Sequence, residues 1–130
     1  MTVTLVSAGL LGFLLFFLGA CVVAGRVKFK VDNGDGGNPA MRQRIRAQAN
    51  FVEYVPLALI LLALVEKESI GPHWLAVALG AVLVVGRLWH AQGMLTREGT
   101  SAGRFMGTNL TWLTILTGAG ACLGRGAGFW

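Results

Sequence analysis

Apolar positions in this chain fall into four long runs rather than into the one-sided stripe of a surface helix. Residues 1–25 hold no charged side chain, residues 47–65 hold only Glu53, residues 69–96 only Arg87, and residues 105–124 none. A helix needs about 20 mostly apolar residues, each rising about 1.5 Å, to cross the hydrocarbon of a bilayer. The pattern therefore predicts four spanning helices near 4–25, 47–66, 72–94 and 105–124. These runs are about twice the ~10 residues of a transmembrane strand. The expected fold class is all-α, an integral membrane four-helix bundle forming a single domain over residues 1–130.

Polar residues bunch between the runs. Asp32-Asn33-Gly34-Asp35-Gly36-Gly37-Asn38-Pro39 reads as a loop by composition. It lacks the ligand pattern of a calcium loop, because Gly34 takes the third ligand position and Gln43 the twelfth. Its glycines also miss the phosphate-loop spacing, and no metal site is expected. No internal repeat is visible, which weighs against an inverted-repeat transporter. Gly99, Gly103 and Gly107, like Gly120 and Gly124, recur every four residues, a spacing that lets helix backbones approach closely in lipid. Cys21 and Cys122 form no CxxC pair and read as small hydrophobes. Asn109-Leu110-Thr111 matches a glycosylation sequon but falls within the fourth run, where it would be inert.

Composition sharpens the membrane reading. Of 130 residues, 55% are hydrophobic and only 13% charged, with a mean hydropathy of +0.65, against about 25% charged in an ordinary soluble domain. That excludes a disordered chain, a nucleic-acid-binding tail and an ordinary cytosolic enzyme. The net charge of +5 is then best placed at a membrane surface. Arg26, Lys28, Lys30, Arg42, Arg44 and Arg46 crowd the first connection, Lys67 stands alone in the second, and Arg97 and Arg104 mark the third. By the positive-inside rule the first and third loops face the cytoplasm and both termini lie outside, with Trp74 and Trp130 at the outer interface. Met1-Thr2-Val3-Thr4 carries no basic residue, which argues against a cleaved signal. Leu18-Gly19-Ala20-Cys21 resembles a lipoprotein box but reads more simply as a packing face with Gly9 and Gly12.

Charged groups inside spans are costly, at about 2.5–3.5 kcal/mol near the centre, and mark function. Arg42, Arg46, Asn50 and Glu53 fall at i, i+4, i+8 and i+11, on one helical stripe. Pro56 follows, where it removes a backbone donor and can kink the helix. Arg87, His90 and Met94 share a face of the third helix, and Arg104 opens the fourth, where the helix dipole favours an anion. These residues could converge on an arginine-rich pocket open to the cytoplasm. Snorkelling to headgroups would account for Arg46 and Arg104, and Glu53 could neutralise Arg87, yet snorkelling leaves Asn50 and Glu53 unexplained. Guanidinium groups with an amide and a carboxylate suit a small polyanionic zwitterion. Glutathione has that character, with two carboxylates, an ammonium and a thiol, but the residues by themselves specify only an anion pocket.

Arg46-Ala47-x-x-Asn50-x-x-Glu53-x-x-Pro56, followed by an apolar run and Gly86-Arg87-x-x-His90, resembles the signature of the MAPEG family, membrane-associated proteins in eicosanoid and glutathione metabolism. The resemblance spans about residues 5–124, and Gly34-Asp35-Gly36-Gly37 is similar to bacterial inner-membrane members. It implies a homotrimer of four-helix protomers that binds glutathione, as co-substrate, between neighbours. Carried over, it implies that Arg46, Asn50, Glu53, Arg87 and His90 hold glutathione. Arg104 would stabilise its thiolate, and Arg26 or Lys28 would reach the neighbour's ligand. The implied activity is a glutathione-dependent transferase or peroxidase of a bacterial inner membrane, acting on a lipophilic or lipid substrate. Two positions depart from the pattern: Met94 stands where family enzymes often have Tyr, and Ala49 where several have a second Arg. They support the alternative, a non-catalytic lipid- or glutathione-binding protein of the same fold. A small four-helix exporter is a third possibility, opposed by the absence of a carboxylate in residues 1–25.

Overall fold

The computed structural model describes residues 1–97 and 99–129. Four helices make up the fold: α1 (Thr2–Phe29), α2 (Pro39–Lys67), α3 (His73–Thr96) and α4 (Ala102–Gly126). α1, α2 and α4 outrun the apolar runs that predict them at both ends, whereas α3 starts within a residue of its expected position and ends two residues later. The largest extension is at α2, which begins at Pro39 rather than near 47. The local chemistry explains that start. Asn38 caps the helix, its side chain accepting from the Met41 N–H at 3.0 Å, and Pro39 sits at the first helical position, where a missing N–H costs nothing. α2 then runs unbroken through Pro56.

α1, α2 and α3 are each long and apolar enough to cross a membrane. α4, at 25 residues, is long enough, but Gly, Thr and Asn dilute its apolar character. Lipid-facing surface explains why side chains such as Phe13, Phe16, Leu116 and Leu123 are more than 70% exposed. In water so many exposed large apolar groups would be a liability. Trp74 is exposed at the start of α3, whereas Trp130 lies outside the described residues.

α1 and α4 both pack on α3 and on α2 but not on each other among the described residues. The main core joins Leu11, Leu14 and Leu18 of α1 to Phe51 and Val55 of α2 and Leu83 and Met94 of α3. A second cluster, including Leu62, Val65, Ile70 and Leu79, closes the end near the α2–α3 turn. The most extensive contact is between α3 and α4, and it is made by backbone. A Cβ on Gly107 would come within 2.6 Å of His90 Cβ, and one on Gly103 within 3.0 Å of Gly93 Cα. The fourfold glycine spacing thus brings α4 against α3 at the level of His90.

Candidate functional site

A cavity of about 400 Å³ opens beside α2, α3 and α4. α2 contributes Arg46 and Asn50, α3 contributes His90 and Met94, and α4 with its preceding turn contributes Ser101, Arg104, Phe105 and Trp112. Polar and apolar side chains therefore share the wall, with Met94, Phe105 and Trp112 among the arginines, amides and hydroxyls. Ser101 sets the start of α4. Its hydroxyl accepts from the Arg104 N–H at 3.3 Å and donates to the Gly93 carbonyl at 3.1 Å, which fixes the Arg104 turn against α3.

The other candidate residues sit around this cavity in different ways. Glu53 does not line it; it lies 3.5 Å from Arg46, with both side chains about half exposed. The two are seven residues apart, two turns along one face. Arg87 is 1% exposed and lies behind the wall rather than in it. Its Nη1 donates to Asn50 Oδ1 at 2.9 Å, its Nη2 is 3.4 Å from His90 Nδ1, and its guanidinium lies over the Phe51 ring at 5.4 Å. Among the described residues no carboxylate lies within ion-pair reach of Arg87. Glu53 therefore pairs with Arg46 and not with Arg87.

Arg42 leaves the stripe altogether, its Nε donating to Asp35 in the first loop. That bond, and then the Gly37 N–H, hold the Asp35 carboxyl below the ordinary value of 3.8. Arg26 folds back on the same loop, where its Nη1 donates to the Asp32 carbonyl at 3.0 Å. Lys28 lies over the Phe29 ring at 5.5 Å. Neither Arg26 nor Lys28 lines the cavity of its own chain. Arg104 does, while its guanidinium also donates to the Gly99 carbonyl.

Several cavity residues escaped the sequence reading. Ser101, Phe105, Thr108 and Trp112 recur at i, i+4, i+7 and i+11, the period of one helix face. That stripe was there to be found, although its mixed polarity hid it within an apolar run. Trp112 extends it by meeting Tyr54 of α2 edge to face, centroids 6.4 Å apart.

The sequence matches the model of the MAPEG family over residues 4–124. Two relatives, each described as inner membrane protein YecN and coming from Escherichia coli K12 and Escherichia coli O6:H1, are 35% identical to the chain over 95 residues, which is 73% of this chain and 70% of theirs. No solved structure matches it significantly.

Proposed function

Because the chain belongs to the MAPEG family and is thus a membrane protein of that family, we propose that its cavity binds glutathione and activates the thiol toward lipophilic substrates. One observation carries this reading: Arg46, Asn50, His90 and Arg104, drawn from three helices, surround a single cavity of about 400 Å³ whose remaining wall includes Met94, Phe105 and Trp112. Volumes of about 300–1,000 Å³ suit a small organic ligand. Guanidinium forks match carboxylates, and glutathione carries two. Met94, Phe105 and Trp112 offer a place for a co-substrate arriving through the bilayer.

Arg104 is the candidate for thiol activation. A guanidinium beside the sulfur favours the thiolate, the nucleophilic form. The thiolate sulfur attacks an electrophilic carbon, a C–S bond forms, and the leaving group departs with its electron pair. With a lipid hydroperoxide the same sulfur attacks the outer oxygen to give a sulfenic acid, and the O–O bond breaks to leave an alkoxide that takes up a proton from water and departs as the alcohol. A second glutathione then takes the oxidised sulfur to the disulfide and releases water.

In this reading the protein is a homotrimer in a bacterial inner membrane, the location that the description of the YecN relatives gives. Its first and third loops face the cytoplasm, where glutathione is held reduced. The half-exposed Arg46–Glu53 pair supports assembly, since charges facing lipid are costly and a neighbour would cover them. That neighbour's Arg26 or Lys28 would reach the ligand.

The test is calorimetry of glutathione binding to the detergent-purified protein, followed by thiolate absorbance near neutral pH. Arg104→Leu should lose much of that absorbance and slow aryl halide conjugation by about tenfold or more, one pKa unit's worth of stabilisation. Arg104→Lys should recover only part, because an ammonium lacks the planar fork. Met94 favours a second reading, a non-catalytic glutathione or lipid binder, because it puts a thioether on the cavity wall where the related enzymes often have a phenol. Binding without thiolate or turnover in the wild type would establish that second reading.

A further inference from the structure

Arg87 is a full positive charge, 1% exposed, with no carboxylate in reach among the described residues and with its Nε buried without a partner. A buried unpaired cation is expensive, so its placement calls for an account. Two of its donors have definite targets. Nη1 donates to Asn50 Oδ1 at 2.9 Å, and Nη2 lies 3.4 Å from His90 Nδ1. A guanidinium has no acceptor, so each group it meets must present a lone pair.

That requirement fixes the far side of both residues. With its oxygen turned to Arg87, Asn50 has its NH2 left for the cavity that it lines. With Nδ1 accepting, the neutral His90 ring carries its proton on Nε2, and His90 lines the same cavity. An unanchored Asn could offer either end of its amide, and an unanchored neutral His either tautomer. We infer that Arg87 is a positioning residue: from behind the wall it turns the Asn50 amide and sets the His90 tautomer, so that these two residues meet the ligand as donors and favour a carboxylate. With Arg46 and Arg104 on the same cavity, an acceptor-only group finds four donor side chains and no competing lone pair from these residues. The ligand chemistry rests on the glutathione reading above, whereas the orientation of Asn50 and His90 does not depend on it.

The test has two arms, on the full-length protein in mild detergent. The first is nitrogen NMR of histidine-labelled protein, with exposed His73 as the reference. Wild-type His90 should show a protonated Nε2 and a bare Nδ1, and Arg87→Met should show mixed tautomers. An unchanged tautomer in Arg87→Met, or Nδ1–H in the wild type, overturns the proposal. The second arm compares glutathione with its diethyl ester, which keeps the thiol and ammonium but blocks both carboxylates. Arg87→Met should reduce the wild-type preference for the free acid by about tenfold, the scale of a charge-assisted hydrogen bond. Loss of affinity for both ligands by one factor indicates a merely structural role and overturns the proposal.

Arg87→Lys keeps the charge but not the fork, so it should leave the tautomers mixed and restore only part of the preference. Should Arg87→Met not fold, Asn50→Asp tests the same point. It keeps an acceptor for Arg87 but turns an oxygen to the cavity, and the preference should fall at least as far; an unchanged preference counts against the proposal. If the wild type binds neither ligand, the glutathione reading fails, while the tautomer result still decides the role of Arg87.

Discussion

Glu66, near the end of α2, reaches back to Thr4 in the first turn of α1. Its Oε2 accepts from the Thr4 backbone N–H at 2.8 Å and from the Thr4 hydroxyl at 2.6 Å, while Oε1 accepts from the Val3 N–H at 2.9 Å. The opening N–H groups of a helix have no partners of their own and carry partial positive charge. One carboxylate therefore caps α1 and ties the first helix to the second.

Replacing Glu66 with Ala should destabilise the fold by about 1–2 kcal/mol, the scale of charged hydrogen bonds at a partly exposed helix start. Glu66→Gln keeps an acceptor and should cost less. Thermal unfolding in detergent checks both. Equal melting of Glu66→Ala and wild type would make the capping bonds energetically idle.

Gly107 has no room for a side chain, since a Cβ there would come within 2.6 Å of His90 Cβ and 2.7 Å of His90 N. Gly107→Ala should push α4 from α3 and cost about 1–3 kcal/mol, as overpacking does. Glutathione affinity should fall with stability, because the displaced groups belong to the cavity wall. Gly120→Ala, which meets nothing within 4 Å, serves as the control in the same melting and binding measurements.

Arg46→Ala should weaken glutathione binding by about 1.5–3 kcal/mol, whereas Glu53→Ala, off the cavity, should act only through Arg46 and cost less than about 1 kcal/mol. The two side chains are 3.5 Å apart, so the double variant should lose less than the sum of the singles. Calorimetry on all four proteins gives the cycle. Wild-type affinity in both singles would return the pair to surface electrostatics.

The Asp35–Arg42 bond predicts a pH dependence of the first loop. A carboxyl whose folded value is depressed contributes its full effect above its ordinary value near 3.8 and loses it as pH falls through the lower, folded value. The loop should therefore exchange amide hydrogens faster on acidification through that window, after correction for intrinsic rates. Asp35→Asn should exchange fast already at neutral pH, with little further pH effect.

The four apolar runs made the helices legible, because lipid allows few other solutions. The early start of α2 was less visible: Arg42, Arg44 and Arg46 dilute the apolar signal, although Asn38-Pro39 spells out a helix start. Helical spacing also placed Arg46 and Asn50 on one face, and both line the cavity. Spacing could not show which of the charged groups would pair. Arg42 turns to Asp35 across a loop, Glu53 takes Arg46 in place of Arg87, and Glu66 meets a partner 62 residues away in the chain. Such choices are made by tertiary contact, which local periodicity does not encode. The Ser101–Trp112 face of α4 stayed hidden because hydroxyls and aromatics alternate along it, so neither polarity nor apolarity marks it.

The glycine contact between α3 and α4 makes the cavity a vice with one fixed jaw. His90, Met94 and Arg104 stand on two helices whose backbones already touch, so their mutual spacing has almost no freedom. Arg46 and Asn50 stand on α2, which meets α4 beside the cavity through the Tyr54–Trp112 ring contact. Rings can slide where backbones cannot. Anyone re-engineering this cavity for a bulkier ligand therefore has one wall to work with, and substitutions at Tyr54 and Trp112 are the screws that set its width.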